Sequence, residues 1–307
     1  MIDSARAPGV FEARVVASYG RHFLVEHPTL GLLQAQRRGK RGDVVVGDCV
    51  LCRPAGAGQA AIESVLPRRS LLLRADGARS KALAANVDRV IVVFAPRPSF
   101  NERFVWRALL AAAVAGIAPL AVLNKVDLDS EQTGARALGR LQALGYATAA
   151  LSAKTRPDEA RALLRTALHG RCGLLVGQSG MGKSTLINLL APQANARTQE
   201  YSTRLDVGRQ TTTASRLFAL ASGGDIIDTP GFQEFGLAHC SLQQLAAAMP
   251  EFTPLLGGCR FNDCRHLEEP DCTILAAVAA GTVDARRHAF YADLAAELQR
   301  LEPFART

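Results

Sequence analysis

Over residues 9–75 the chain alternates short apolar runs with charged or glycine-containing breaks. Residues 11–16, 21–26, 43–46 and 48–52 are examples, each too short for a stable helix and rich in β-branched or aromatic side chains. Short strands at this spacing predict a small closed barrel, and a five-stranded OB-like barrel fits the length. Around residues 80–85 the pattern changes. Residues 88–95, apolar without a break from Val90 to Ala95, predict a parallel strand buried on both faces. Ser99-Phe100-Asn101-Glu102 reads as a capping box opening a helix that runs to about Ala115. Further strands are expected at 120–123, 147–151, 172–176, 216–220 and 225–228, with helices between them, one at about 157–168. Strands alternating with helices describe a doubly wound α/β domain that binds its ligand at the strand ends. Helical patterns return at 241–249 and 283–301.

The chemistry is concentrated where these strands end. After the run 172–176 comes Gly177-Gln178-Ser179-Gly180-Met181-Gly182-Lys183-Ser184-Thr185, and then an apolar helical stretch. Strand, Gly-x-x-x-x-Gly-Lys-Ser and helix in succession make a phosphate-binding loop. Its glycines let successive N–H groups turn inward, and the helix adds the positive end of its dipole. Lys183 is expected on the β- and γ-phosphates and the Ser184 hydroxyl on Mg²⁺. This loop alone does not separate a GTPase from an ATPase or a small-molecule kinase.

Asn124-Lys125-Val126-Asp127, at the end of the 120–123 strand, supplies the discrimination. A carboxylate at Asp127 accepts from both N1–H and the N2 amine of guanine. Adenine offers neither, which would leave a buried charged acceptor unpaired. Asn124 is expected to steady the neighbouring loops, and Lys125 to lie along the base. Ser152-Ala153-Lys154 is expected to add the Ala153 N–H to the guanine oxygen. A kinase has no need of this reader.

Asp228-Thr229-Pro230-Gly231 follows the last strand, so that Asp228 can hold Mg²⁺ through water while the Gly231 N–H senses the γ-phosphate. The polar segment 198–213 between the loop and that strand has few core residues. It reads as a switch whose Thr211, Thr212 or Thr213 completes the Mg²⁺ shell, with Thr213 or Thr212 preferred and the choice left open. Together these groups neutralise phosphate charge while water attacks, converting GTP to GDP and phosphate.

Composition narrows the setting. The 307 residues allow about two domains with ample cores, at 48% hydrophobic and 21% charged content. The longest uncharged run, 108–124, is broken by Gly116 and Pro119 and is too short for a membrane span. The first residues lack the pattern of a signal peptide, and seven cysteines fit a reducing compartment, so a cytoplasmic location is expected. Net charge is +8, and residues 1–85 hold 13 Lys/Arg against 7 Asp/Glu. That surplus suits a polyanion such as RNA, and the run Arg37-Arg38-Gly39-Lys40-Arg41 between two strands suits RNA phosphates; a solubilising surface accounts for the surplus equally. Cys49 and Cys52 look like a metal pair, but residues three apart on a strand face opposite ways, so both read as core cysteines. Cys259, Cys264, His266 and Cys272 form C-x4-C-x-H-x5-C, three thiolates and an imidazole suited to one structural tetrahedral Zn²⁺. Arg260, Arg265, Arg286 and Arg287 near it offer RNA contacts, with a merely solvated surface the equal alternative.

The guanine-reading elements precede the phosphate loop, the reverse of the usual GTPase order. With the basic barrel and the cysteine cluster, this order resembles the circularly permuted GTPases of the RsgA/YjeQ family over nearly the whole chain. The resemblance implies a barrel over residues 1–80, a permuted GTPase domain over 81–238 and a helical zinc-binding domain over 239–307. It implies a monomer that binds the 30S ribosomal subunit and its 16S rRNA late in maturation, with hydrolysis stimulated by the subunit and coupled to release. A GTP-regulated module for a non-ribosomal RNA is the alternative reading. Two positions bear on mechanism. Gln210 stands where the family usually has His, and Phe232, shared with the family, replaces the water-orienting Gln of many GTPases. Phe232 cannot orient water through a hydrogen bond, so Gln210 is the expected substitute.

Overall fold

The computed structural model describes residues 9–20, 22–37, 43–76, 79–194, 215–229 and 234–305. Five strands form the barrel: β1 (Phe11–Tyr19), β2 (His22–His27), β3 (Gly31–Arg37), β4 (Cys49–Gly56) and β5 (Gln59–Val65). They pair in the order β1-β2-β3-β5-β4, and β4 returns to β1, which closes the sheet. Only β3 and β5 run parallel. Alternate residues point inward, and Val15, Phe23, Val25, Val50, Cys52 and Ile62 fill the interior.

Two sequence expectations about the barrel are corrected here. Residues 43–46 form no strand, and Val46 makes only an isolated bridge to Ala84. The Asp48 carboxylate, fully buried, explains the bend there: it accepts from the Val45 N–H at 2.9 Å and from Arg68 Nε at 2.7 Å. Cys49 and Cys52 do face opposite ways, but only Cys52 is in the core, and Cys49 is exposed.

A hairpin, β6 (Leu71–Asp76) and β7 (Arg79–Ala85), leads out of the barrel. Gly47 is needed where the two meet, since its φ is +93° and a Cβ there would lie 2.1 Å from the Ala85 carbonyl oxygen. The α/β layer follows: β8 (Arg89–Phe94), α1 (Glu102–Val114), β9 (Ala118–Leu123), α2 (Thr133–Ala143), β10 (Ala147–Ala150), α3 (Pro157–Leu168), β11 (Cys172–Val176), α4 (Lys183–Leu190), β12 (Ser215–Ala219) and β13 (Asp225–Asp228). Strand order is β10-β9-β8-β11-β13-β12, parallel except for β12. The order reverses between β8 and β11, which makes a topological switch point beside the phosphate loop. The cap of α1 is Asn101, not Ser99: Asn101 Oδ1 accepts from the Arg103 and Phe104 N–H groups. Glu102 then sits in the first turn and pairs with Arg140 and Arg286.

The barrel is not a separate appendage. β1 pairs antiparallel with β12, Ala17 opposite Arg216 and Ser18 opposite Ser215, so barrel and nucleotide layer share one eleven-stranded sheet. Arg14 Nη1 of β1 also meets Asp225 Oδ2 of β13 at 2.5 Å.

The C-terminal part contains α5 (Leu242–Ala247), α6 (Thr273–Ala279) and α7 (Ala285–Ala305). Ser241 caps α5 in a true capping box with Gln244. Helix α7 packs on α1 through Trp106 against Phe290, and Arg107 makes a bidentate pair with Glu297 at 2.7 and 2.8 Å. Arg287 is only 2% exposed, paired with Glu251 at 2.6 Å and stacked over Trp106. It therefore cannot serve an RNA, as its sequence setting allowed. No helix among the described residues is long and apolar enough to cross a membrane.

Candidate nucleotide and metal sites

The four strand ends that carry the motifs converge on one edge of the sheet, because β8, β9, β10, β11 and β13 run parallel. At that edge the loop 177–182 folds over β8. A Cβ on Gly177 would lie 2.3 Å from the Val93 carbonyl oxygen, and one on Gly182 (φ +95°) would lie 2.3 Å from Asn124 Nδ2. Glycine is thus required on both sides of the loop, which ends with Gly182 as the cap of α4. Lys183 Nζ donates to the carbonyls of Gly177 and Gln178 at 2.6 and 2.9 Å. Two of its three N–H donors hold the loop, and the third is the one a phosphate oxygen can take. Burial pulls the Lys183 pKa down, against the attraction of Asp228. Ser184 and Thr185 are exposed in the first turn of α4, and Ser179 and Gly180 are exposed at the loop's tip. Met181 is buried beneath it.

The guanine-reading residues and the loop are one hydrogen-bonded unit. Asn124, 2% exposed, donates through Nδ2 to the Met181 carbonyl at 3.0 Å, and its Oδ1 accepts from the Ala153 N–H at 3.1 Å. One amide therefore joins three motifs. Lys125 adopts a left-handed conformation (φ 60°) and its Nζ donates to Gly180 O at 2.6 Å and Arg97 O at 3.0 Å. Ser152 is buried and its Oγ donates to Asp127 Oδ1, while Thr155 Oγ1 donates to Ser152 Oγ at 2.7 Å. Asp127 itself is exposed, contrary to the buried carboxylate expected, and so is Lys154. The carboxylate stands at the rim, where a base stacked on Lys125 would cover it.

Asp127→Asn tests this chemistry. The amide keeps an acceptor for N1–H but turns a donor toward the N2 position, which suits the carbonyl of xanthine. GTP affinity is expected to fall about 100-fold or more while XTP affinity rises, as read by fluorescent-nucleotide titration. Equal loss of both nucleotides would count against the assignment.

Asp228 ends β13 beside Lys183. Burial raises its pKa, with Arg216 and Lys183 acting in the opposite direction. Thr229 is buried next to it. Gln210, Thr211, Thr212, Thr213, Gly231 and Phe232, and the basic residues Arg38, Lys40 and Arg41, lie outside the described residues. Gln178 of the predicted loop also accepts, through Oε1, from the Asn101 N–H at 2.7 Å. Two contributors escaped sequence reasoning: Thr155 behind Ser152, which carried a local signal three residues on, and Arg216 opposite Asp228, which only the strand pairing reveals.

The second site lies between α5 and α6. The ligand atoms of Cys259, Cys264, His266 and Cys272 lie within 4.8 Å of one another. Cys259 Sγ to Cys272 Sγ is 3.8 Å, and His266 Nδ1 is 3.5 Å from each of those two sulfurs. A tetrahedral zinc with ordinary Zn–S and Zn–N lengths needs edges of about 3.8 and 3.6 Å, so the donor set fits such an ion. Thr273 Oγ1 lies 3.2 Å from Cys259 Sγ and donates to Leu255 O at 2.8 Å, which orients the first ligand. The Glu269 carboxylate accepts from the N–H groups of Arg265, Leu267 and Glu268. Burial opposes its ionisation, yet these donors bring its pKa down to about 2.

Comparison with known proteins gives a consistent result. The family model described as RsgA GTPase matches residues 65–238. The chain is 48% identical over 295 residues to the small ribosomal subunit biogenesis GTPase RsgA of Ralstonia nicotianae, covering 94% of this chain and 93% of that one. It is 49% identical over 306 residues to the protein of the same name from Paraburkholderia xenovorans, covering 97% and 96%. The crystal structure of YjeQ from Thermotoga maritima superimposes with a TM-score of 0.71 at 28% identity, over 94% of this chain and 99% of that one. YloQ, described as a circularly permuted GTPase, shares the fold with a TM-score of 0.69 at 22% identity, over 97% and 98%. This chain thus combines an OB-like barrel, a nucleotide layer and a helical Cys3His segment in a fold that superimposes on both structures over nearly its whole length. The chain belongs to the RsgA family of GTPases.

Proposed function

We propose that this protein hydrolyses GTP during late maturation of the 30S ribosomal subunit, and that contact with the subunit stimulates hydrolysis and so drives release. The observation that carries the reading is the Asn124 amide, which ties the guanine reader at 124–127, the 152–154 loop and the phosphate loop into one site. Near full-length similarity to proteins named for small-subunit biogenesis supports this choice of partner.

In this reading Asn124, Lys125, Asp127 and the 152–154 segment hold guanine. The 177–185 loop holds the phosphates, with Ser184, Thr213 and Asp228 on Mg²⁺. That ion supplies charge neutralisation at the β- and γ-phosphates. Lys183 orients the γ-phosphoryl group, Gly231 senses it and Gln210 orients water. Residues 1–80 face 16S rRNA, 81–238 carry the chemistry, and 239–307, held by one zinc ion on Cys259, Cys264, His266 and Cys272, form a second contact. The protein acts as a monomer in the cytoplasm.

Nucleotide-dependent co-sedimentation tests the partner. With a non-hydrolysable GTP analogue the protein is expected to travel with 30S particles, and with GDP to stay at the top of the gradient. Binding to 30S and 50S particles alike in both states would favour a general RNA-binding module.

A further inference from the structure

We infer that the exposed end of the C-terminal metal module docks a basic protein segment, with an apolar side chain of that segment seated against Phe261. The inference rests on the small subunit being the partner, and it names protein rather than RNA as what this module meets there.

Charge turns the module away from RNA. Residues 239–307 hold 6 Lys/Arg against 9 Asp/Glu, a balance of −3 in a chain whose net charge is +8. The four arginines that the sequence offered to RNA are each matched by a carboxylate. Arg260 pairs with Asp271 at 3.0 Å and Arg265 with Glu269 at 3.4 Å. Arg286 pairs with Asp284 at 2.8 Å and reaches Glu102 at 3.4 Å, and the buried Arg287 pairs with Glu251 at 2.6 Å. Surface pairs of this kind add little to stability, but they cancel the field that a phosphate would follow. Asp263 and Glu268, in contrast, are exposed and make no ion pair among the described residues.

The same end of the module carries an apolar groove. Phe261 is 41% exposed, and among the described residues it is the only Phe, Tyr or Trp so open to solvent. It lines the groove with Ala246 and Leu256, the amides of Gln243 and Asn262, and metal ligands along one wall. Asp263 follows Phe261 and Asn262 directly in the chain, and Glu268 lies two residues beyond the ligand His266. The Arg260 guanidinium, itself held by Asp271, lies 5.5 Å from the Phe261 ring centroid. The ring is therefore positioned before any partner arrives, which lowers the entropy lost on binding. A groove of this kind beside unpaired carboxylates matches a partner that carries cations and an apolar side chain together. A segment rich in Lys and Arg with one apolar residue has both. RNA would bring the wrong sign of charge to Asp263 and Glu268.

The test is the sign of a charge reversal. The full-length protein and its variants are titrated with 30S subunits in the presence of a non-hydrolysable GTP analogue. Asp263→Lys combined with Glu268→Lys is expected to weaken the affinity about tenfold, with bound metal and basal hydrolysis unchanged. A contact with RNA predicts the reverse, since two added lysines would tighten binding and steepen its salt dependence. Phe261→Ala, at an exposed position, is expected to weaken binding about tenfold as well. In a second measurement Phe261→p-benzoylphenylalanine keeps an aromatic ring and adds a photo-reactive ketone. Irradiation in the 30S complex is expected to join position 261 to a subunit protein within a Lys/Arg-rich peptide. Unchanged or tighter binding by the charge-reversed variant, or a photo-adduct with rRNA, would overturn the inference. The parent protein separates the two readings. If it binds 30S no better than 50S particles, the assignment of the partner falls, and the inference with it. If it prefers 30S particles and the charge-reversed variant binds them equally well, only the inference falls.

Discussion

Lys183→Ala is expected to lower single-turnover GTP hydrolysis about 1,000-fold while leaving the thermal midpoint of the protein within a few degrees. Removing one pre-positioned donor from a developing charge commonly costs about 100- to 1,000-fold, and Lys183 has two tasks. It offers a full positive charge to the β- and γ-phosphates, and its Nζ also ties the Gly177 and Gln178 carbonyls, holding the loop in shape. Both are lost with alanine. The fold does not depend on either, because the loop's backbone is also fixed by Asn124 on Met181 and by Lys125 on Gly180. Turnover within tenfold of the parent would show that the lysine does not act on the transferred group.

Withdrawing the metal from the C-terminal cluster should have the second largest effect, and it should fall on structure. Helices α5 and α6 have six and seven residues, and helices this short are not stable alone. The stretch between them is irregular apart from one short turn of 3-10 helix, so the four ligands are its main cross-link. Zinc contributes about 10–16 kcal/mol to the folding of small metal-stapled segments at neutral pH. Cys272→Ser, or exhaustive chelation, is expected to abolish amide exchange protection across residues 253–283 and to reduce bound zinc from one per chain to none. Basal hydrolysis should survive, since α7 keeps its own hold on α1 through Arg107–Glu297 and Trp106–Phe290. Unchanged protection in the serine variant would remove the metal from the account.

How much of this was legible in the sequence depended on how far apart the interacting residues lie. The phosphate loop, the guanine reader and the Cys3His spacing are local patterns, and each lies at the strand end or between the helices where its chemistry requires. The nucleotide-layer strands were legible because double-sided burial writes itself as unbroken apolar runs. The barrel was harder. β3 and β5 are only partly apolar, with Gln34, Gln36 and Gln59 on faces that look outward, and neither was picked out as a strand. The 43–46 run looked like a strand because it is apolar, but its backbone turns to wrap the Asp48 carboxylate, a polar interaction that hydrophobic pattern does not report. The capping-box pattern puts Ser99 at the cap of α1, and only the geometry shows that Asn101 holds that position. What could not be read at all was the β1–β12 pairing, which joins residues about two hundred positions apart, and with it the Arg14–Asp225 and Tyr19–Arg216 contacts. The catalytic readings at Gln210, Thr213 and Gly231 rest on sequence alone, outside the described residues.

The most direct measurement of the central claim is GTP hydrolysis by the purified full-length protein alone, with 30S subunits, and with 50S subunits. The account predicts slow turnover alone and with 50S particles, and strong stimulation by 30S particles only. Equal, slow turnover in all three would contradict it, leaving a GTPase whose trigger is not the small subunit.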